Sequence, residues 1–568
     1  MNTRPDQSSA FLCVIKARLI AVLLPVFVLL PGVQTGHADS ATWNLDPGSG
    51  DWNTAANWSP ATVPNGPTNT ATFASSNITD ISLSAETTVK GITFDPAASP
   101  FTISTGQFLF TIGNAGITNN SAITQNFVVA NHSALYLRGS ATAGSETVFT
   151  NTGSTETSGQ GFIVFFGTSS AGDATFINEP GLASQGGGGY LQFADRSTAG
   201  NATFINQGSG VAGSGIGYIE FGGVLTPGSN AGNGQFTLNG GTASSAFGGQ
   251  INFYCFTSAA DGNFTINGAS VPGALPGIIY FFCDATADHA TLVAKGGLNG
   301  GPGGSIRFAY QALGGKARVV LSGNSTLDIS LHDAPGMSIG SIEGVGTVFL
   351  GANALSVGAN NTDTTFACLL QDGGDNGGVG GSLTKIGKGM LVISSSNDYT
   401  GDTHVESGGL LVKNATGSAT GSGNVYVDRG RLGGTGIMGG AVTVGTGSGH
   451  KAALAPGQAG TVLSIEKSLT FNSDGKCQIV LDSDTGTAGG VIAQGVTINS
   501  ASFFIQDNGT TILPIGFTVT VIDNTAASPI GGSFSNLPDG STVAVGSNTF
   551  QANYEGGDGN DLTLTVVP

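Results

Sequence analysis

The feature that most constrains the fold is a unit of about 28 residues that recurs seven times within residues 133–331. Each copy opens with a strand-like phrase: SALYL at 133, GFIVF at 161, GYLQF at 189, GYIEF at 217, GQINF at 249, GIIYF at 277 and GSIRF at 304. The copies start 28, 28, 28, 32, 28 and 27 residues apart. A fixed period of this size is typical of a solenoid, in which each unit buries its apolar face against its neighbours.

Two apolar columns run through the opening phrases. The third position is Leu135, Ile163, Leu191, Ile219, Ile251, Ile279 or Ile306, and the fifth is Leu137, Phe165, Phe193, Phe221, Phe253, Phe281 or Phe308. The position between them has no common chemistry: Tyr136, Val164, Gln192, Glu220, Asn252, Tyr280 and Arg307. Because side chains alternate along a strand, we expect the two apolar columns to point inward and the mixed column to face solvent.

A second strand follows in each unit, in phrases such as ATFINQG at 202–208. Its leading apolar position is predicted to form a third inward column of Val148, Phe176, Phe204, Phe236, Phe264, Leu292 and Val319. The strand is predicted to close on an amide ladder of Asn178, Asn206, Asn239 and Asn267. Stacking in register would place like residues about 4.8 Å apart. The sequence therefore predicts an all-β, parallel solenoid in which each coil matches the next.

Composition agrees with strands and excludes some partners. Ninety-four of the 568 residues are glycine, which costs about 1 kcal/mol at a helical position. The formal net charge is −18, and no run of Lys and Arg is present. Because phosphate binding depends on clustered basic residues, we expect no binding to nucleic acid.

Residues 1–38 have the three parts of a secretory signal peptide: basic residues, an apolar run at 19–30, and the small residues Gly36 and Ala38 before a cleavage position. A membrane anchor would need about 20 apolar residues. This run is shorter and is interrupted by Pro25. We therefore predict export with cleavage, and no stable membrane insertion of the remaining chain.

Residues 39–132 contain Trp43, Trp52 and Trp58, all the tryptophans of the chain. An open solenoid end presents unpaired backbone and a bare core, so we predict that this region is an N-terminal β cap. The alternative is a carbohydrate platform, in which exposed Trp rings stack on sugar rings.

Cys255 and Cys283 occupy the same position of consecutive units. In-register stacking would bring them within reach of a disulfide. Two reduced thiols stacked in the core are the alternative that we favour.

Residues 381–412 resemble the autotransporter-associated β-strand repeat of bacterial surface and secreted proteins. The matching residues are Gly381, Leu383, Lys385, Gly387, Gly389, Leu391, Asn397, Tyr399, Thr400, Gly401, Thr403, Val405, Gly408 and Leu410. The resemblance implies a right-handed parallel β-helix displayed outside the cell. We place this repeat region at 332–455 and a further C-terminal β region at 456–568.

No constellation of catalytic residues stands out in the sequence. Asp284, Asp288 and His289 share one turn, and Asp328, His332 and Asp333 lie near the end of the array, but neighbouring copies lack them. We interpret them as solvated turn residues and predict no catalytic site and no cofactor. Gly556, Gly557, Gly559 and Asp561 partly match a calcium-binding nonapeptide, although calcium in that design is shared between tandem copies and only one is present. Calcium is therefore the weaker alternative.

The sequence thus favours a secreted or cell-surface structural or adhesin-like protein, with extracellular polysaccharide or surface components as partners. The rival hypotheses are a polysaccharide lyase or glycoside hydrolase on the same scaffold, and a carbohydrate-binding surface protein that uses the tryptophans.

Overall fold

The computed structural model describes residues 40–157, 159–222 and 226–568, so the predicted signal peptide lies outside the described residues. The described residues divide into two compact units, one that extends to Leu313 and includes Gly323–Ser325, and one that comprises Gly314–Ser322 and Thr326–Pro568. Apart from one 3-10 turn at Ala55–Asn57, the regular structure of the described residues is β-strand. The predicted all-β class is confirmed.

The first unit contains two sheets. The first sheet runs in the order Trp58–Ser59, Ala41–Trp43, Gly66–Phe73, Thr87–Phe94, Leu109–Asn119, Ala134–Leu137, Phe162–Phe165, Tyr190–Phe193, Tyr218–Phe221, Gln250–Phe253, Ile278–Phe281 and Ser305–Phe308. The second sheet runs in the order Asp80–Ser82, Thr102–Ser104, Gln125–Val129, Thr147–Asn151, Thr175–Asn178, Thr203–Asn206, Gln235–Leu238, Asn263–Ile266 and Thr291–Ala294. Neighbouring strands are parallel, except that Trp58–Ser59 is antiparallel to Ala41–Trp43. This is the predicted parallel β-solenoid.

Aromatic stacking along the coils follows the predicted register. Phe165, Phe193, Phe221 and Phe253 pair in sequence. Their ring centroids are 4.7, 4.7 and 4.5 Å apart and the rings are within 14° of parallel. All four side chains are fully buried. The predicted inward column of the first strand is therefore confirmed.

The second strand corrects two predicted columns. Phe149, and not Val148, pairs with Phe176, because the register of this strand lies one residue further along the chain than the 28-residue spacing predicts. Asn206 pairs with Leu238, and Leu238 pairs with Ile266, so Asn239 and Asn267 each lie one residue beyond the buried position.

The buried amide ladder consists of asparagines 151, 178 and 206. The Asn151 amide donates to Asn178 Oδ1 (3.3 Å), and the Asn178 amide donates to Asn206 Oδ1 (2.8 Å). Asn239 and Asn267 form a separate pair, in which the Asn267 amide donates to Asn239 Oδ1 (2.9 Å).

A recurrent turn between the two strands explains the repeated glycine of the phrase "STAGN". Thr198 forms a one-residue bridge with the neighbouring coils, and its Oγ1 accepts the N–H of Gly200 (3.2 Å). Gly200 has a φ of 61°, and a Cβ there would lie 2.7 Å from the carbonyl oxygen of Gly172 in the adjacent coil. Glycine adopts this left-handed backbone at the lowest cost, and in later coils the equivalent left-handed position is occupied by Ala260 and Asp288.

The second unit continues in parallel coils. One sheet contains Arg318–Leu321, Ser341–Gly344, Thr364–Phe366, Met390–Ile393, Gly409–Val412, Gly430–Gly434, Ala452–Pro456, Gly475–Asp482 and Ser502–Asp507, with Thr487–Ala488 antiparallel to Gly475–Asp482. A second contains Gly336–Ile339, Ala354–Val357, Ser382–Lys385, Thr403–Val405, Val425–Val427, Val442–Val444, Leu469–Phe471, Val496–Asn499 and Gly531–Ser533. Thr326–Asp328, Thr347–Phe349 and Leu369–Gln371 pair together. A further sheet contains Ile437–Met438, Val462–Ile465, Gly490–Ala493, Thr518–Asn524, Asp561–Val567, Asn548–Gly556 and Thr542–Val545, of which the last three are added antiparallel.

The strand pairing does not change at two of the predicted region boundaries, the one between residues 132 and 133 and the one between residues 455 and 456. Leu109–Asn119 pairs in parallel with Ala134–Leu137, so coils already form within the region predicted as a cap. Ala452–Pro456 pairs in parallel with strands on both sides, so the coils also continue past residue 456. The regions differ in their repeat sequences, but their strands pair in parallel in the same way.

We expect Phe221→Ala to destabilise the first unit by about 3–5 kcal/mol, because the cavity would interrupt the ring stack on both sides. Equilibrium denaturation followed by circular dichroism measures the change. The matched control is Thr237→Ala on the outward side of the second strand, which is expected to cost less than about 0.5 kcal/mol. Equal effects of the two substitutions would contradict the stacked column as the source of stability.

Candidate functional site

The three tryptophans lie in the interior of the first unit. Their side chains are 0–1% exposed. Trp58 packs edge-on against both Trp43 and Trp52, with centroids 5.0 Å apart in each pair. A sugar ring needs an exposed aromatic face, and none of the three offers one. The carbohydrate platform predicted as an alternative for Trp43, Trp52 and Trp58 is therefore wrong in this structure, because the rings are buried and cannot contact a sugar. Their burial instead covers the apolar core at this end of the sheet.

The outward side of the first sheet has a different character, and we call it the outer aromatic face. Its aromatic members, all half-buried, are Tyr136, Phe162, Phe166, Tyr190, Tyr218, Tyr254, Tyr280 and Phe282. Tyr190 and Tyr218 stack with their ring centroids 5.3 Å apart, as do Tyr254 and Phe282. The Arg138 guanidinium lies 4.5 Å from the centroid of the Phe166 ring. Rings therefore line this side of at least six successive coils.

A hydrogen-bond network joins the columns of this face around Glu220. The Tyr190 hydroxyl donates to Glu220 Oε2 (2.8 Å), and the Gln192 amide donates to Glu220 Oε1 (2.9 Å). On the next coil, the Asn252 amide donates to the hydroxyls of Tyr218 (2.6 Å) and Tyr254 (2.9 Å). The network therefore spans three coils.

Burial among the rings raises the pKa of the Glu220 carboxyl, against the opposing effect of its hydrogen bonds from Tyr190, Gln192 and Tyr218. Burial, reinforced by the charge of Glu220, also raises the pKa of the Tyr190 and Tyr218 hydroxyls. The hydroxyls consequently stay protonated and can donate at any physiological pH. No pattern in the sequence pointed to this cluster, because its members belong to different columns of the repeat.

In the second unit, the segment 381–412 occupies two successive coils. Leu383 pairs with Thr403 in one sheet, and Leu391 pairs with Leu410 in the other. The segment is therefore one coil followed by the coil that stacks on it.

The polar residues of this segment hold neighbouring coils together. Asn397 is buried, its Oδ1 accepts the N–H of Leu370 (2.7 Å), and its amide donates to the carbonyl of Ala419 (2.7 Å). The fully buried Tyr399 hydroxyl lies 2.6 Å from Thr403 Oγ1. Buried polar groups need hydrogen-bond partners, so the positions of these residues in the repeat are set by the partners that neighbouring coils supply.

Lys385 is a buried cation within the same segment. Its ammonium donates to the carbonyls of Ile386 (2.5 Å), Gly387 (3.1 Å) and Ser407 (3.3 Å). Burial lowers the pKa of the amine to about 8, with Asp363 opposing the shift. The side chain thus ties a turn of one coil to a turn of the next.

The interpretation of the acidic and histidine residues as solvated turn residues fits Asp288 and His289 but is wrong for Asp328, which ends the strand Thr326–Asp328 and is buried. Asp288 and His289 are exposed and 3.0 Å apart. The buried Asp328 carboxylate accepts the N–H groups of Ser330 (2.8 Å) and Asp375 (2.9 Å). The Asp328 carboxylate therefore holds two main-chain groups in place.

The nonapeptide-like turn near the C-terminus uses its aspartate in a similar way. Asp561 Oδ1 accepts the N–H of Asn524 (2.9 Å). Burial, together with the charges of Asp561 and Asp558, raises the pKa of Asp523. Across the residues that the structure describes, no three His, Cys, Asp or Glu side chains are grouped as metal ligands. The calcium alternative stays a prediction.

Cys255 and Cys283 lie in equivalent turns of adjacent coils, two residues after the paired Phe253 and Phe281. Both are partly exposed, so the expectation of thiols stacked in the core is wrong: the chain has left the strand at this position. The bridge between them stays a prediction. Counting alkylated thiols before and after reduction decides it, because a bridge adds two labels on reduction.

Comparison with known proteins agrees with the sequence resemblance. A family model described as Passenger-associated-transport-repeat matches residues 383–412. The Adhesin BmaC autotransporter of Brucella suis biovar 1 (strain 1330) is 32% identical over 117 residues, which are 21% of this chain and 3% of that protein. The crystal structure of the Haemophilus influenzae Hap adhesin aligns with 88% of this chain and 64% of that chain, at 12% identity and a TM-score of 0.23. The match to the Brucella protein thus spans a small fraction of its length.

The predicted resemblance to autotransporter-associated repeat proteins is confirmed for this segment. In this repeat, the chain is similar to the passenger proteins that bacteria secrete or display at the cell surface, and its predicted location outside the cell agrees. No helix among the described residues has the length and apolar character to cross a bilayer.

We compare the free energy of unfolding of the wild type with that of the variant Lys385→Met. We expect the difference, wild type minus variant, to rise by about 1–3 kcal/mol between pH 7 and pH 10. The pKa of Lys385 is lowered to about 8 in the folded chain. Above pH 8 the unfolded chain therefore binds more protons at this site than the folded chain, and stability increases with pH.

Denaturant unfolding at each pH measures this difference. The matched control is Lys388→Met, since Lys388 is exposed three residues away. The control is expected to follow the wild-type profile. Parallel pH profiles of wild type and Lys385→Met would contradict the assignment of a buried cation.

Proposed function

We propose that this chain is a non-catalytic, adhesin-like β-solenoid that acts outside the cell by attaching to surface components or extracellular polysaccharide. The observation that carries the proposal is the passenger repeat at 383–412, which lies within two stacked coils of a parallel solenoid. The similarity to a named adhesin over 117 residues supports an adhesive role.

The use made of polar side chains supports a non-catalytic role. Lys385 and Asn397 satisfy main-chain groups of adjacent coils, and the Asp328 carboxylate holds a turn. Groups committed in this way stabilise the scaffold and are not presented to a substrate. The outer aromatic face is a preformed surface that contacts can use without any chemical step.

The test compares latex beads coated with the folded, exported chain and beads coated with the heat-unfolded chain. The surfaces are cultured epithelial cells, immobilised neutral polysaccharides and serum albumin. We expect several-fold more folded-chain beads on cells or polysaccharide, and equal numbers on albumin. Equal retention of both bead types on every surface would contradict the proposal.

A second measurement tests the non-catalytic part. The same polysaccharides are incubated with the purified chain, and reducing ends and unsaturated products are measured. We expect neither to increase over a buffer control. Product that grows with protein concentration would instead establish a polysaccharide-degrading enzyme.

A further inference from the structure

The outer aromatic face is an addition that the solenoid itself does not require. The second sheet belongs to the same coils, and its outward columns contain Thr, Ile, Val, Gln and Asn without an aromatic ring. Both sheets stack in the same register and bury the same kind of core. Rings on only one of two equivalent outward faces therefore point to a use other than folding.

The polar groups of this face hold one another in place. Gln250 donates to Asn252 Oδ1 (2.8 Å), and Asn252 in turn donates to the hydroxyls of Tyr218 and Tyr254. Side chains whose rotamers are already fixed lose little conformational entropy when a ligand binds. The face is therefore preorganised.

The same groups keep hydrogen-bonding capacity for a ligand. A carboxylate offers about four lone-pair sites, and a hydroxyl offers two lone pairs besides its proton. Glu220 uses two of its sites for Tyr190 and Gln192, and a third hydrogen bond from Tyr218 adds to these. A ligand rich in hydroxyl groups, which both donate and accept, matches this inventory.

Charge narrows the choice of ligand. The face carries one carboxylate, Glu220, and the guanidinium groups of Arg138 and Arg307, both of which lie over aromatic rings. The whole chain has 36 acidic and 18 basic residues. A second copy or a polyanion would approach against this net charge without a basic patch to receive it. An uncharged ligand meets no such penalty.

We propose that the outer aromatic face is a binding site for an extended, uncharged polysaccharide, whose hydroxyl groups bond to Glu220, Tyr190 and Tyr218 and whose C–H groups contact the exposed parts of the rings. The inference rests on the proposed function, which it deepens by naming the ligand class and the surface.

The experiment is affinity electrophoresis of the full exported chain in gels that contain laminarin, xyloglucan, galactomannan or dextran, with polygalacturonate as the anionic comparison. We expect retardation by at least one neutral polymer. The double variant Tyr190→Ala with Tyr218→Ala is expected to weaken that binding at least tenfold. The matched control, Thr203→Ala with Gln235→Ala, changes the second sheet of the same two coils and should bind within twofold of wild type.

Circular dichroism and thermal unfolding establish that each variant is folded. Should the alanine pair fail to fold, Tyr190→Phe with Tyr218→Phe and Glu220→Gln keep the side-chain volumes, and we expect each to weaken binding several-fold. Retardation by none of the neutral polymers, retardation by polygalacturonate alone, or wild-type affinity in the face variants would overturn the inference.

The bead assay separates this inference from the proposed function. If wild-type beads are retained and beads with the face variants are retained equally, adhesion stands and the face is not its site. If wild-type beads are not retained on any surface, the adhesive function itself fails.

Discussion

Contact between successive coils is the constraint on which the rest of this structure depends. A single coil has two short strands and a few apolar side chains, too little to bury a core alone. The coil above and the coil below supply the remaining partners, through parallel main-chain hydrogen bonds and stacked side chains. Phe221 shows both, because it pairs with Phe193 and Phe253 and its ring lies between theirs. Each residue that faces inward is therefore selected by its two neighbours along the stack.

The same constraint explains the buried polar groups. Asn178 lies in a column between two asparagines, so each amide finds a partner of its own kind. Lys385 and Asn397 instead bond to main-chain groups of adjacent coils. Burying such groups is costly unless they are satisfied, and the stack provides an acceptor or donor at a fixed spacing. These buried polar residues thus hold neighbouring coils together.

Side chains that face outward do not have to match the neighbouring coils, and at these positions the two sheets of the first unit differ in composition. One presents aliphatic and small polar side chains, and the other presents the outer aromatic face with its network around Glu220. The passenger repeat at 383–412 connects the chain with proteins that work outside the cell. A preorganised surface with few charged groups, repeated over successive coils, is well suited to contact with an extended ligand.

The sequence by itself determined the all-β class, the parallel stacking and the first-strand columns, because period and alternation follow directly from the pleat and the coil length. It misplaced Val148, Asn239 and Asn267, since an offset of one residue in a short strand is no larger than the variation in spacing between the copies. Tertiary structure alone decided that the tryptophans are interior, because burial depends on what packs over a side chain. It also decided that Tyr190 meets Glu220, 30 residues away, since contacts between columns depend on side-chain length and on the offset of neighbouring coils.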